Sequence, residues 1–135
     1  MWTCEKCERK FKTTNQSHSC TNVKLDDLFE GKAPELLLAF DGILYRVMEW
    51  EPNDVGTATK SIVFTNKKAW LIVKPMRKEL DLKFYHSEKI QSPYIKKHTL
   101  WGSKWAHHIR LKNADQIDEE LLKLLKSGYD FAMST

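Results

Sequence analysis

The chain has 135 residues, of which 41% are hydrophobic and 30% charged, and its formal net charge at pH 7 is +4. That length and balance fit one folded domain with a small appendage and exclude a chain too polar to bury a core. No apolar run approaches the roughly 18–20 residues that span a bilayer, so no membrane partner is expected.

The N-terminus, Met1-Trp2-Thr3-Cys4-Glu5-Lys6-Cys7, has neither an apolar core segment nor a small-residue cleavage site of the secretory kind. A reducing, cytoplasmic setting is therefore expected, where clustered cysteines serve as metal ligands more often than as disulfides. All three cysteines fall within the first twenty residues. Cys4 and Cys7 have the two-residue spacing that lets one turn offer two thiolates to one metal, and His18 and Cys20 complete a set of four. Phe11, four residues beyond Cys7, makes an opening that resembles the zinc fingers built on two cysteines and two histidines, in which such a Phe packs beneath the metal. The one-residue gap between His18 and Cys20 places that pair on an extended or turn segment. About twenty residues cannot bury enough surface to fold unaided. Structural zinc, worth on the order of 10–16 kcal/mol in finger peptides, would supply the difference. The expectation is one structural Zn2+ held by Cys4, Cys7, His18 and Cys20. Residues 1–22 then form a zinc finger and residues 23–135 a separate α+β domain.

After the finger, Val23 to Phe29 reads as a short helical connection ending near Gly31. A longer helix is predicted from Ala33 to Trp50, with Pro34 in its first turn and Leu36, Leu37, Phe40, Leu44, Val47 and Met48 as its apolar stripe. Pro52, Asn53, Asp54 and Gly56 break it. Thr59–Thr65 reads as a strand, and Asn66-Lys67 as a turn. Ala69-Trp70-Leu71-Ile72-Val73 is a continuous apolar run suited to a central strand, closed by Pro75. Leu80, Leu82 and Phe84 alternate with Asp81, Lys83 and Tyr85, as in a half-buried strand. A loop is expected around Ser92-Pro93, and Trp105, His107, Ile109 and Leu111 mark a fourth strand. Asp115 is the expected cap of a final helix over Gln116–Met133, buried through Ile117, Leu121, Leu124, Leu125, Tyr129 and Ala132. The order α-β-β-β-β-α predicts an antiparallel sheet of about four strands with an N-terminal and a C-terminal helix packed on one face.

Several of these stretches resemble a bacterial family of domains of unknown function that is preceded by a short zinc finger with Cys, Cys, His and Cys as its ligands. They are the opening through Cys7 with Phe11 and Asn15-Gln16-Ser17-His18-Ser19-Cys20, then Leu100-Trp101-Gly102 with His108-Ile109-Arg110-Leu111, and Ser127-Gly128-Tyr129. The same domain is found at the C-terminus of proteins labelled as predicted transport proteins, and beside nuclease-like domains. The resemblance covers nearly the whole chain and implies the two-part organisation, but no activity. Glu8 departs from the glycine that such knuckles often carry after the second cysteine.

Charge is unevenly distributed. Between Lys60 and Lys112 there are thirteen basic residues against three acids, a net +10, which leaves −6 for the rest of the chain. Lys67-Lys68, Arg77-Lys78 and Lys96-Lys97 stand near strand ends, with Tyr85, Trp101, Lys104 and Arg110 close by in the predicted sheet. A basic, aromatic-bearing sheet is the composition of single-strand and RNA platforms, where bases stack and phosphates meet lysines. The reading is a zinc-binding, non-enzymatic module with nucleic acid as its partner. The alternative is a protein-interaction adaptor. A third reading is a metal-dependent nuclease in which Asp54 and Asp81 share a magnesium ion and Lys83 orients the attacking water; against it, Asp81 and Lys83 are the ordinary solvent face of an alternating strand. His107 and His108, being adjacent, point to opposite faces and suit core or surface roles.

Overall fold

The structure is a computed structural model that describes residues 25–134 and the backbone of two short strands, β1 (Trp2–Thr3) and β2 (Lys10–Phe11). These two strands pair antiparallel, Trp2 with Phe11 and Thr3 with Lys10. The rest of the expected finger lies outside the described residues.

The domain opens with α1 (Leu25–Phe29) and α2 (Pro34–Val47). Gly31 between them has φ +74, a left-handed turn that glycine adopts without a side-chain penalty. Ala33 is extended, as a residue before proline must be, and Pro34 begins α2. The buried stripe of α2 is Leu36, Ala39, Phe40, Ile43 and Val47. The helix stops at Val47, short of the predicted Trp50. There the Asn53 amide donates to the Val47 carbonyl at 2.9 Å.

The sheet has six strands where about four were expected, all antiparallel. They are β3 (Asp54–Thr57), β4 (Ile62–Thr65), β5 (Ala69–Pro75), β6 (Leu80–His86), β7 (Ile95–Trp101) and β8 (Lys104–Leu111), in the order β3-β4-β5-β6-β8-β7. The two unforeseen strands, β3 and β7, are the two edges. β3 is four residues with a glycine straight after a Pro-Asn turn, so its sequence reads as a helix breaker. β7 is open to solvent at most positions and lacks the apolar alternation of a half-buried strand. β8 lies between β6 and β7, so the chain bypasses a place in the sheet and then fills it.

The final helix, α3 (Glu119–Ser134), also departs from expectation at its start. Residues Ala114–Gln116 form a separate 3-10 turn capped by Asn113 and Gln116. The α3 cap is Asp118, whose carboxylate accepts from the Leu121 N–H at 2.9 Å.

Both long helices lie on one face of the sheet, as the order of elements implied. Phe64, Leu71, Phe84 and His107 form one cross-strand row, and Ile62, Val73, Leu82 and Ile109 form the next; all eight are buried. The Phe40 ring from α2 lies 6.2 Å from Phe64. On α3, Gly128 lets the helix lie directly on Phe84. A bulge between β4 and β5 leaves Trp70 without a cross-strand partner and turns it into this core, where it is 1% exposed. Its indole N–H donates to the Asn53 side chain at 3.0 Å, and its ring meets Tyr129 edge-on at 5.3 Å.

Candidate nucleic-acid interface

Strand alternation sends the other half of the sheet residues to the face opposite the helices. Across β5, β6, β8 and β7 that face carries three adjoining rows. Lys74, Asp81 and Arg110 form the first, and Ile72, Lys83, His108 and Lys97 the second. Tyr85, Ala106 and Thr99 form the third, beyond which Lys104 pairs with Trp101.

One carboxylate organises the centre of this face. Asp81 is 8% exposed although none of the described helices lies on this face. Its Oδ1 accepts from Arg110 Nε at 2.7 Å, and His108 Nδ1 lies 3.0 and 3.1 Å from its two oxygens. Arg110 also reaches Glu79 at 3.7 Å. A buried carboxylate is costly unless paired and hydrogen-bonded, and these donors supply both conditions. Lys74, Lys83, Lys97 and Lys104 surround this neutralised centre. The Lys104 ammonium stands 4.5 Å from the Tyr85 ring centroid and that of Lys83 stands 5.8 Å from it, so two cations meet this ring. Trp101, at the end of the β7–β8 hairpin, is 66% exposed. Gly102 makes the tight turn beside it with φ +63.

Of the residues singled out from sequence, Tyr85, Lys97, Trp101, Lys104 and Arg110 share this face. Lys67 and Lys68 lie in the β4–β5 turn at one end of the sheet, whereas Arg77 and Lys78 lie in the β5–β6 turn at the other. Lys96 falls at an irregularity in β7, where the register slips between Ile95 and Lys97. Lys74, Lys83 and His108 belong to the face but were not among the selected binding residues. Alternation with Asp81 and Arg110 was the available signal. Cys4, Cys7, His18 and Cys20 lie outside the described residues. In sequence, Cys4 and Cys7 fall between the paired strands β1 and β2, and β2 approaches the β3 edge of the sheet.

Asp54 and Asp81 are not neighbours. β4 and β5 lie between their strands, which sets them on the order of 14 Å apart across the sheet alone. Among the described residues, no group of three or more His, Cys, Asp or Glu side chains is arranged to hold a metal ion. No helix among them is long and apolar enough to cross a membrane.

On the helix side, His107 is fully buried, stacked on Phe84 at 4.9 Å, and its Nε2 accepts from the Ile90 N–H at 2.9 Å. Burial, and then the neighbouring His98, hold its imidazole below the ordinary histidine range. A cleft of about 190 Å³ between α2 and α3 is lined by Arg46, Trp50, Glu119 and Lys126 among others, and Arg46 pairs with Glu119 there at 2.8 Å. Its charges are mixed, unlike those of the sheet face.

The family described as a domain of unknown function, DUF5655, matches residues 25–132. No curated protein and no solved structure matches the chain.

Proposed function

The chain belongs to the DUF5655 family, a domain of unknown function, and we propose that this member is a non-enzymatic module that binds nucleic acid across the open face of its sheet. A structural zinc finger at residues 1–22 accompanies that face, in keeping with the family arrangement that the N-terminal motif resembles. The observation that carries the reading is the placement of Lys74, Lys83, Lys97 and Lys104 on four adjoining strands, on the face away from the described helices, around an acid already paired with Arg110 and hydrogen-bonded to His108. Four ammonium groups on one surface suit a run of phosphates. Trp101 beside them offers a stacking surface worth roughly 1–3 kcal/mol per base. Asp81 is committed to internal donors, which favours a binding surface over a metal-dependent nuclease.

The test is fluorescence anisotropy of labelled single- and double-stranded oligonucleotides over a salt series. Binding to single strands that weakens steeply with salt is expected, and absence of salt-sensitive association with either form overturns the reading. Metal analysis of protein made under reducing conditions is expected to find about one zinc per chain, lost in Cys7→Ala. A zinc-free wild-type protein removes the finger from the proposal.

A second reading, a protein-interaction adaptor, has its own support on α2, where Leu38 is 63% and Tyr45 77% exposed. Co-purification separates the two. Absorbance at 260 nm that nuclease treatment removes favours nucleic acid, and a stoichiometric protein partner favours the adaptor.

A further inference from the structure

The lysine rows of the open face converge on a side chain that the binding surface above leaves without a role toward the ligand. His108 stands on β8 directly between Lys83 of β6 and Lys97 of β7, its cross-strand partners on either side. Directly opposed residues in antiparallel pairs have Cβ atoms about 4.5–5.5 Å apart, so both ammonium groups can reach whatever the imidazole meets. The ring is held in one orientation. Its Nδ1 faces both Asp81 oxygens, and Asp81 is itself fixed by Arg110. An ionised carboxylate only accepts hydrogen bonds, so Nδ1 carries a hydrogen and Nε2 is the nitrogen left for a ligand. The same arrangement of a carboxylate orienting an imidazole is used wherever a histidine must present one nitrogen reproducibly.

We infer that His108 Nε2 and the ammonium groups of Lys83 and Lys97 form a phosphate-group site at the centre of the sheet, with His108 as a cationic donor when the site is filled. The inference rests on the nucleic-acid reading only for the source of the phosphate, a backbone phosphodiester; the chemistry would equally accept free phosphate. The charged groups facing the imidazole are Asp81 and Lys83 from β6, Lys97 from β7 and Arg110 from β8, with Lys74 of β5 beyond Asp81. A phosphate oxygen needs a donor at Nε2, and that nitrogen donates only in the imidazolium form.

The experiment uses the full chain and two probes, inorganic phosphate and a labelled single-stranded oligonucleotide. Histidine ring signals are followed by NMR, and oligonucleotide affinity by anisotropy. Both probes are expected to move the His108 resonance. Oligonucleotide affinity is expected to fall roughly three- to tenfold in His108→Asn, the scale of one partly screened charge-assisted hydrogen bond. The Asn amide nitrogen takes the place of Nδ1 toward Asp81 and offers nothing at Nε2, so the loss reads the Nε2 contact alone. Lys97→Gln, on the exposed edge strand, is expected to weaken both probes. An oligonucleotide affinity unchanged in His108→Asn overturns this site while leaving the nucleic-acid reading intact. Phosphate that moves His108 in a protein that binds no oligonucleotide keeps the site and overturns the nucleic-acid reading.

Discussion

Asp81 shows how much one side chain can decide about a surface. It sits among lysines on the solvent side of the sheet, yet Arg110 and His108 enclose it so that little of it meets water. Removing the carboxylate leaves those two donors without their acceptor. Asp81→Ala is expected to cost about 1–3 kcal/mol in urea unfolding, with Asp81→Asn milder because an amide oxygen still accepts. His107, on the other side of the same strand pair, makes stability depend on pH. Its imidazole is held below the ordinary range by burial and by His98, so the unfolded chain takes up this proton first as pH falls. The contribution is fully present above the unfolded value of about 6.5 and declines as pH drops from there toward the lower folded value. Urea midpoints that fall on acidification through this window, with the His107 ring signal still in its neutral position, are the expected result.

At the scale of elements, the closest fit in the molecule is α3 on β6. A Cβ added at Gly128 would lie 2.8 Å from Phe84 Cδ2 and 2.9 Å from its Cβ. Alanine favours a helix over glycine by about 1 kcal/mol. The clash here is with an atom fixed to the β6 backbone, and overpacking of this kind costs about 1–3 kcal/mol. The clash outweighs the propensity, so Gly128→Ala is expected to lower the thermal midpoint. The elements also differ in how plainly their sequences announce them. α2, β5, β6 and β8 each bury an apolar face, so periodicity finds them. β7 is an edge with little to bury, and its Lys96-Lys97-His98-Thr99 run carries no such period. The break at residues 114–118 reflects two capping devices in succession, Asn113 for the 3-10 turn and Asp118 for α3, where a single cap at Asp115 was the simpler expectation.

For the whole molecule, the excess of basic residues between Lys60 and Lys112 divides three ways once folded. Lys67-Lys68 and Arg77-Lys78 go to turns at opposite ends of the sheet, and Lys74, Lys83, Lys97 and Lys104 gather on its open face. If those four lysines each meet a phosphate, the logarithm of single-strand affinity against the logarithm of salt has a slope of about −3, since each neutralised phosphate contributes about −0.7. Lys83→Gln with Lys97→Gln is then expected to reduce the slope by about half, whereas Lys67→Gln with Lys68→Gln changes it little.

Local sequence was sufficient for the features that rest on short-range physics. Apolar periodicity marked the two packed helices and the inner strands, and alternation assigned His107 and His108 to opposite faces. Neighbours across the sheet are a different matter. Alternation tells which face a residue occupies but not which strand lies beside it. Strand order and register are set by how the buried rows fit against α2 and α3. Only the insertion of β8 between β6 and β7 brings Lys83, His108 and Lys97 into one row, and only the β4–β5 bulge turns Trp70 inward. Those arrangements belong to the core as a whole, because burying its apolar rows fixes the register that every residue on the open face then inherits.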